Sequence, residues 1–204
     1  MARFICLALF LTSLPSCAMA IEAPAGQVHI DATQILRGHF TEQRQSDKDK
    51  EPLETSGHFV VAPANGLIWG IEVPFPTATI VTPNGVTQEL GGMAVKLPVK
   101  KNLRHLYDMI GGALAGNWNA LESDFTITRS GNAKNWQMLL TARPNATPNK
   151  SPYSTITVSG SRFVENIVMV KANGATDSFN FSNATLSPLP LASDERIAFN
   201  AATE

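Results

Sequence analysis

Leu67, Trp69, Ile71 and Val73 alternate with Ile68, Gly70 and Glu72 until Pro74 and Pro76 stop the run. A side-chain period of two is what an extended strand imposes, because successive side chains leave opposite faces. The same period returns in Phe125 and Ile127 against Thr126 and Thr128, in Trp136, Met138 and Leu140 against Gln137 and Leu139, and in Ile156 and Val158 among threonines and serines. Further strands are expected at His58 to Ala62, Ala78 to Thr82 and Val86 to Leu90, the last two joined by the turn Pro83-Asn84-Gly85. Phe163 to Lys171 and Thr176 to Phe181 read as a hairpin around Ala172-Asn173-Gly174. Such short connections can only join antiparallel neighbours. The chain is therefore mainly β (α+β), with about nine to eleven strands in a single curved antiparallel sheet and two or three helices.

Val99, Leu103, Leu106, Ile110 and Leu114 step by three or four residues, the signature of one buried helix face, and predict a helix over Val99 to Ala115. Shorter helices are expected at Val28 to Leu36 and near Asn117 to Leu121. Ser187 to Glu204 reads as a proline-marked tail with an edge strand near Arg196 to Asn200.

The first twenty residues have the form of a secretory signal: Arg3, the apolar run Phe4 to Leu14, and Ala18-Met19-Ala20 before the expected cut. The alternative is lipidation at Cys17 within Leu14-Pro15-Ser16-Cys17, where Pro15 fits poorly. Both cysteines, Cys6 and Cys17, lie in this leader, so cleavage leaves a chain without thiols or disulfides, stabilised by its core alone. Residues 21–204 carry no repeat or linker and read as one domain; roughly 180 residues can bury about 70% of their unfolded surface. Net charge is −1, which argues against general nucleic-acid binding. Charged residues make up only 16%, below the usual quarter, a balance that suits either additional apolar surface or a plain β-rich domain.

Two stretches resemble a known family. The first is Leu36-Arg37-Gly38-His39-Phe40-Thr41-Glu42-Gln43-Arg44; the second is Gly57-His58-Phe59-Val60-Val61, followed by Gly66-Leu67-Ile68-Trp69 and Pro74. Together they are similar to the opening strands of the outer-membrane lipoprotein carrier (LolA-type) family. The order that follows is similar too: a helix, Leu121-Glu122 to Phe125, then a Trp136-led strand. The resemblance implies a half-open β-barrel lidded by helices, with an apolar cavity for acyl chains. It implies a periplasmic carrier, not an enzyme, acting as a monomer without cofactor, that takes lipoproteins from an inner-membrane exporter to an outer-membrane acceptor. One departure stands out. The family usually ends its Gly-led strand with an Arg-Pro pair whose arginine helps control release, whereas this chain has Ala62-Pro63-Ala64-Asn65. A divergent carrier of a free lipid or glycolipid, working with an inner-membrane exporter, is the alternative this departure opens.

An acyl chain of about sixteen carbons exposes methylenes worth about 0.8 kcal/mol each, on the order of 12 kcal/mol in all. A carrier must match that surface. The candidates for an acyl-chain cavity are Phe59, Val61, Leu67, Trp69, Ile71 and Ile80 on the strands, and Leu103, Leu106, Met109, Ile110 and Leu114 on the helix. Any amphipathic element buries such residues as ordinary core, so core remains the alternative at each position. Lys100, Lys101 and Arg104 open the predicted helix, where cations oppose its dipole; they are candidates for docking an acidic partner or lipid headgroups, against the plain reading of a solvated turn. Arg44 is a candidate to bridge Glu42 or Asp47, or to meet cargo at the cavity mouth. The four histidines are scattered without a metal-ligand spacing, and there is no nucleophile elbow or phosphate loop.

Overall fold

The computed structural model describes residues 27–46, 51–90, 93–96, 101–144 and 151–202, and for 93–96, 101–103 and 120 the backbone alone. The expected leader, with Cys6 and Cys17, and Lys100 lie outside the described residues.

Among the described residues eleven strands run in the order β1 (Gln34–Gln45), β2 (Leu53–Ala62), β3 (Gly66–Val73), β4 (Thr77–Thr82), β5 (Gly85–Leu90), β6 (Met93–Lys96), β7 (Phe125–Asn132), β8 (Asn135–Ala142), β9 (Tyr153–Gly160), β10 (Val164–Lys171) and β11 (Thr176–Pro188). Helix α1 (Lys101–Ala115) and a 3-10 turn (Asn119–Leu121) join β6 to β7, and helix α2 (Ser193–Ala201) follows β11. All strands belong to one antiparallel sheet, ordered β6-β5-β4-β3-β2-β1-β11-β10-β9-β8-β7. The first strand thus becomes the centre, and the last returns to pair with it. Register shifts at Arg37/His39, Ser56/Gly57 and Val164/Asn166 mark the bulges that bend such a sheet. This is the expected mainly β, curved architecture, consistent with a half-open barrel.

β6 and β7 are the two opposite edges of the sheet, yet they are consecutive in the chain apart from α1 and the 3-10 turn. The connection has to cross the sheet from edge to edge. It does so over the concave face, where α1 packs on β2, β3 and β4. α2 packs on β3 and β4 from the other side, over a second apolar cluster containing Ile35, Val60, Ala62, Ile68, Ile80 and Phe199. Strands covered on both faces read as unbroken apolar runs. Phe59 to Ala62 and Leu67 to Gly70 are buried without interruption, whereas β8, covered on one face, alternates strictly between exposed and buried.

Two expected elements take another form. Val28 to Leu36 is not a helix: residues 27–33 are irregular and Ile35 and Leu36 already belong to β1, turned to opposite faces. The expected edge strand at Arg196 to Asn200 is part of α2. Its first turn is set by Glu195, whose carboxylate accepts from the Ala192 backbone N–H at 2.9 Å and from Arg37 of β1 at 2.5 and 2.7 Å. Arg37 lies 158 residues upstream, out of reach of any local pattern.

Candidate functional site

The concave face carries the larger cluster of apolar side chains, and its middle is aromatic. Trp69 stacks on Phe40 and meets Tyr107, Phe179 and Phe181 at centroid distances of 5.9 to 6.3 Å. Phe59 stands edge-on to Phe181 at 5.6 Å. The glycine in the Leu36-Arg37-Gly38 motif has a steric reason: a Cβ on Gly38 would lie 2.7 Å from the Phe59 ring.

Of the candidates read from sequence, Phe59, Val61, Leu67 and Trp69 are buried on this face together with Met109, Ile110 and Leu114 of α1. Ile71 and Leu106 pack at its margin. Ile80 lies elsewhere. It pairs with Ile68, and both face the opposite cluster beneath α2; the inward residue of β4 is Val81. Leu103 and Lys101 fall within α1, but their side chains are outside the described residues.

α1 is fastened at its C-terminal end. The Ile30 backbone N–H donates to Ala115 O at 2.9 Å, and the Gln27 amide donates to Ala113 O at 2.9 Å while accepting from the Trp118 indole at 3.0 Å. These bonds satisfy carbonyls that a helix end leaves without partners. Between α1 and the ends of β2, β3 and β4 runs an open slot of about 380 Å³, lined by Val61, Leu67, Val81, Tyr107, Gly111 and Gly112 among others. That volume falls within the range of sites that take small organic ligands. Arg104 lines the slot as well and is held by Asp108 one turn along at 3.1 Å.

Charged side chains reach inward at one end of this face. Glu42 is almost fully buried, accepts from Arg44 Nε at 2.5 Å and takes the Thr55 hydroxyl at 3.2 Å. Burial works against the Arg44 charge, but Glu42, Asp177 and Tyr107 together outweigh it and hold the guanidinium above its ordinary range. Asp177, the register neighbour of Arg44, accepts from Tyr153 at 2.7 Å and from Lys171 at 2.8 Å. Burial pushes the Tyr153 phenol far up, and the Asp177 carboxylate adds to the shift. Burial likewise raises Tyr107. Of the bridges considered for Arg44, the one to Glu42 is formed. The Asp177 cluster escaped sequence reading because its members are brought together by strand register alone. Phe179 and Phe181 were legible as an alternating pair but were not singled out as site residues.

The family model for outer membrane lipoprotein carrier protein LolA-like matches residues 18–167, well over half of the chain. The chain belongs to the LolA-like family. A search of curated proteins finds no match. Among solved structures, the chain is similar to a LolA superfamily protein from Nitrosomonas europaea at 10% identity and a TM-score of 0.44, covering 81% of this chain and 93% of that one. It is similar to the MucA/MucB complex of Pseudomonas aeruginosa at 11% identity and 0.48, covering 80% of this chain and 55% of that one. A DUF1329 family protein from Desulfovibrio piger gives 8% and 0.42, with 84% and 92% covered. The family match ends at residue 167, before β11 and α2.

Proposed function

We propose that this LolA-like chain is an exported periplasmic carrier. It holds the acyl chains of a lipoprotein between α1 and the concave face and ferries them from the inner to the outer membrane. The observation that carries this reading is the slot along α1, whose walls carry Val61, Leu67, Val81 and Tyr107 of the buried cluster around Trp69 beside the Arg104–Asp108 pair. Much of the interior is filled by the protein's own side chains, so cargo enters by moving α1 away from β2–β4 and replacing one apolar contact by another. The methylenes then exchange water for hydrocarbon at about 0.8 kcal/mol each. Binding needs no cofactor and no bond is made or broken, so the protein is a carrier and not an enzyme. It acts as a monomer between an inner-membrane exporter and an outer-membrane acceptor.

A second reading has an observation of its own. The turn after β2 carries Pro63, Ala64 and Asn65 where the family's release-controlling arginine is expected, and the slot's cation is Arg104 on α1 instead. A free lipid or glycolipid as cargo fits this difference. Native mass spectrometry of the chain purified from its own envelope decides between them. A co-purifying triacylated lipoprotein supports the first reading and a free lipid or glycolipid the second. An apo mass, with no uptake of an added fluorescent fatty acid, overturns both.

A further inference from the structure

A second open space, wider than the slot under α1, lies on the other side of the sheet. It is a groove of about 770 Å³ on the convex face, between α2 and the outer side of β1–β4. Its floor is apolar, formed by Val60, Ile68 and Ala78. β3 places Gly70 in this floor with the His58 ring lying over it; a Cβ at that position would sit 2.5 Å from the ring. The α2 wall is fixed before any ligand arrives, since Arg37 grips both oxygens of Glu195 and donates to the Ser187 hydroxyl at 2.6 Å.

Beside the Arg37–Glu195 pair and the imidazoles of His39 and His58, the charged groups lining this groove are carboxylates. Arg37 and Glu195 cancel each other. Asp194 stands on the α2 wall, and Glu72 and Glu89 stand on the sheet wall. Glu72 hydrogen-bonds His58 Nδ1 at 2.8 Å. Carboxylates on both sides of an open apolar trough repel phosphate headgroups and attract cations. An acyl chain would lie half in water here, whereas a peptide could set alternate side chains on the floor and at the rim.

We infer that the convex groove is a second binding site, separate from the α1 slot, and that it takes a basic peptide segment of a partner protein, with apolar side chains on the floor and lysines or arginines against Glu72, Glu89 and Asp194. The inference does not depend on what the slot carries.

The test uses the mature chain and a fluorescein-labelled hexapeptide of alternating leucine and lysine, with a leucine–glutamate hexapeptide as its counterpart, read by fluorescence polarisation. The basic peptide binds and weakens with salt, while the acidic one does not bind. Neutralising the rim with Glu89→Gln and Asp194→Asn weakens binding about fivefold or more, as loss of two partly exposed charge contacts should. Ala78→Phe, which fills the trough, abolishes it; circular dichroism checks that both variants are folded. Three results overturn the inference: no binding of the basic peptide, equal binding of both peptides, or binding that neither variant changes. Pelleting with phosphatidylglycerol vesicles that Ala78→Phe abolishes also overturns it, because the occupant would then be a lipid surface.

Discussion

Trp69 lies against Phe40 with ring centroids 3.7 Å apart and planes inclined by 24°. The two rings come from strands that are not adjacent, since β2 lies between β1 and β3. In the register Phe40 pairs with Gly57 and Trp69 with Phe59, so the stack runs diagonally across β2, where Gly57 has no side chain to stand in its way. Trp69→Ala removes the largest buried side chain at the middle of the concave face and should cost about 3–5 kcal/mol of unfolding free energy. A double-mutant cycle with Phe40→Leu and Trp69→Leu, measured by urea denaturation, should return a coupling of about 0.5–1.5 kcal/mol. Additive losses would mean the rings merely share a core.

Arg37 and Glu195 predict how α2 responds to acid. Its hydrogen bond with Arg37 holds the Glu195 carboxyl below its ordinary range in the folded chain. A depressed folded value means that the unfolded chain takes up the proton more readily. The stabilisation is therefore present above the ordinary glutamate range and is lost as pH falls through the folded value. Thermal melts taken from about pH 6 down to about pH 3 should show a stability difference between wild type and Arg37→Leu that narrows toward the acid end. A constant difference would place the effect in packing.

Glu42 and Arg44 make an unequal pair, because the carboxylate is buried and the guanidinium is half in water. Arg44→Met leaves a buried charge without its cation. The expected loss is about 1–3 kcal/mol, less than for a fully buried pair because water reaches the arginine side. Adding Glu42→Gln should recover part of it. If the double variant is no more stable than Arg44→Met in a denaturant titration, the charge of Glu42 is not the source of the loss.

Gly111 separates stability from binding. It faces the slot, and a methyl there would lie 3.7 Å from Leu67, an ordinary contact. Gly111→Ala should stabilise the helix by roughly 0.5–1 kcal/mol. Gly111→Phe should fill the slot and lower the uptake of cis-parinaric acid, read by its fluorescence, in a chain that melts no earlier than wild type. Undiminished uptake would remove the slot from the path of the cargo.

Where one face of an element is wet, its position could be read from the residues themselves. β8 alternates because water covers one side and protein the other, and α1 repeats at three and four for the same reason. The reading weakens where both faces are covered. In β4, Ile80 and Val81 are equally apolar and equally buried, so the sequence offers no sign of which faces α1 and which faces α2. Ile35 and Leu36 mislead in the same way: two adjacent apolar residues suit a helix, and only the two clusters on either side of β1 explain them.

The sequence by itself determined most of the strands, though not β6, together with the long helix and the family, because each rests on short-range periodicity or on motifs of a few residues. The tertiary structure alone decided which apolar residues share a face and that the tail folds as a helix. It also decided that carboxylates at 42 and 177 are buried with cations beside them, and that the groove under α2 is wider than the slot under α1. These depend on register and on contacts between residues more than a hundred positions apart, such as Arg37 with Glu195, and no local pattern encodes a distance that long.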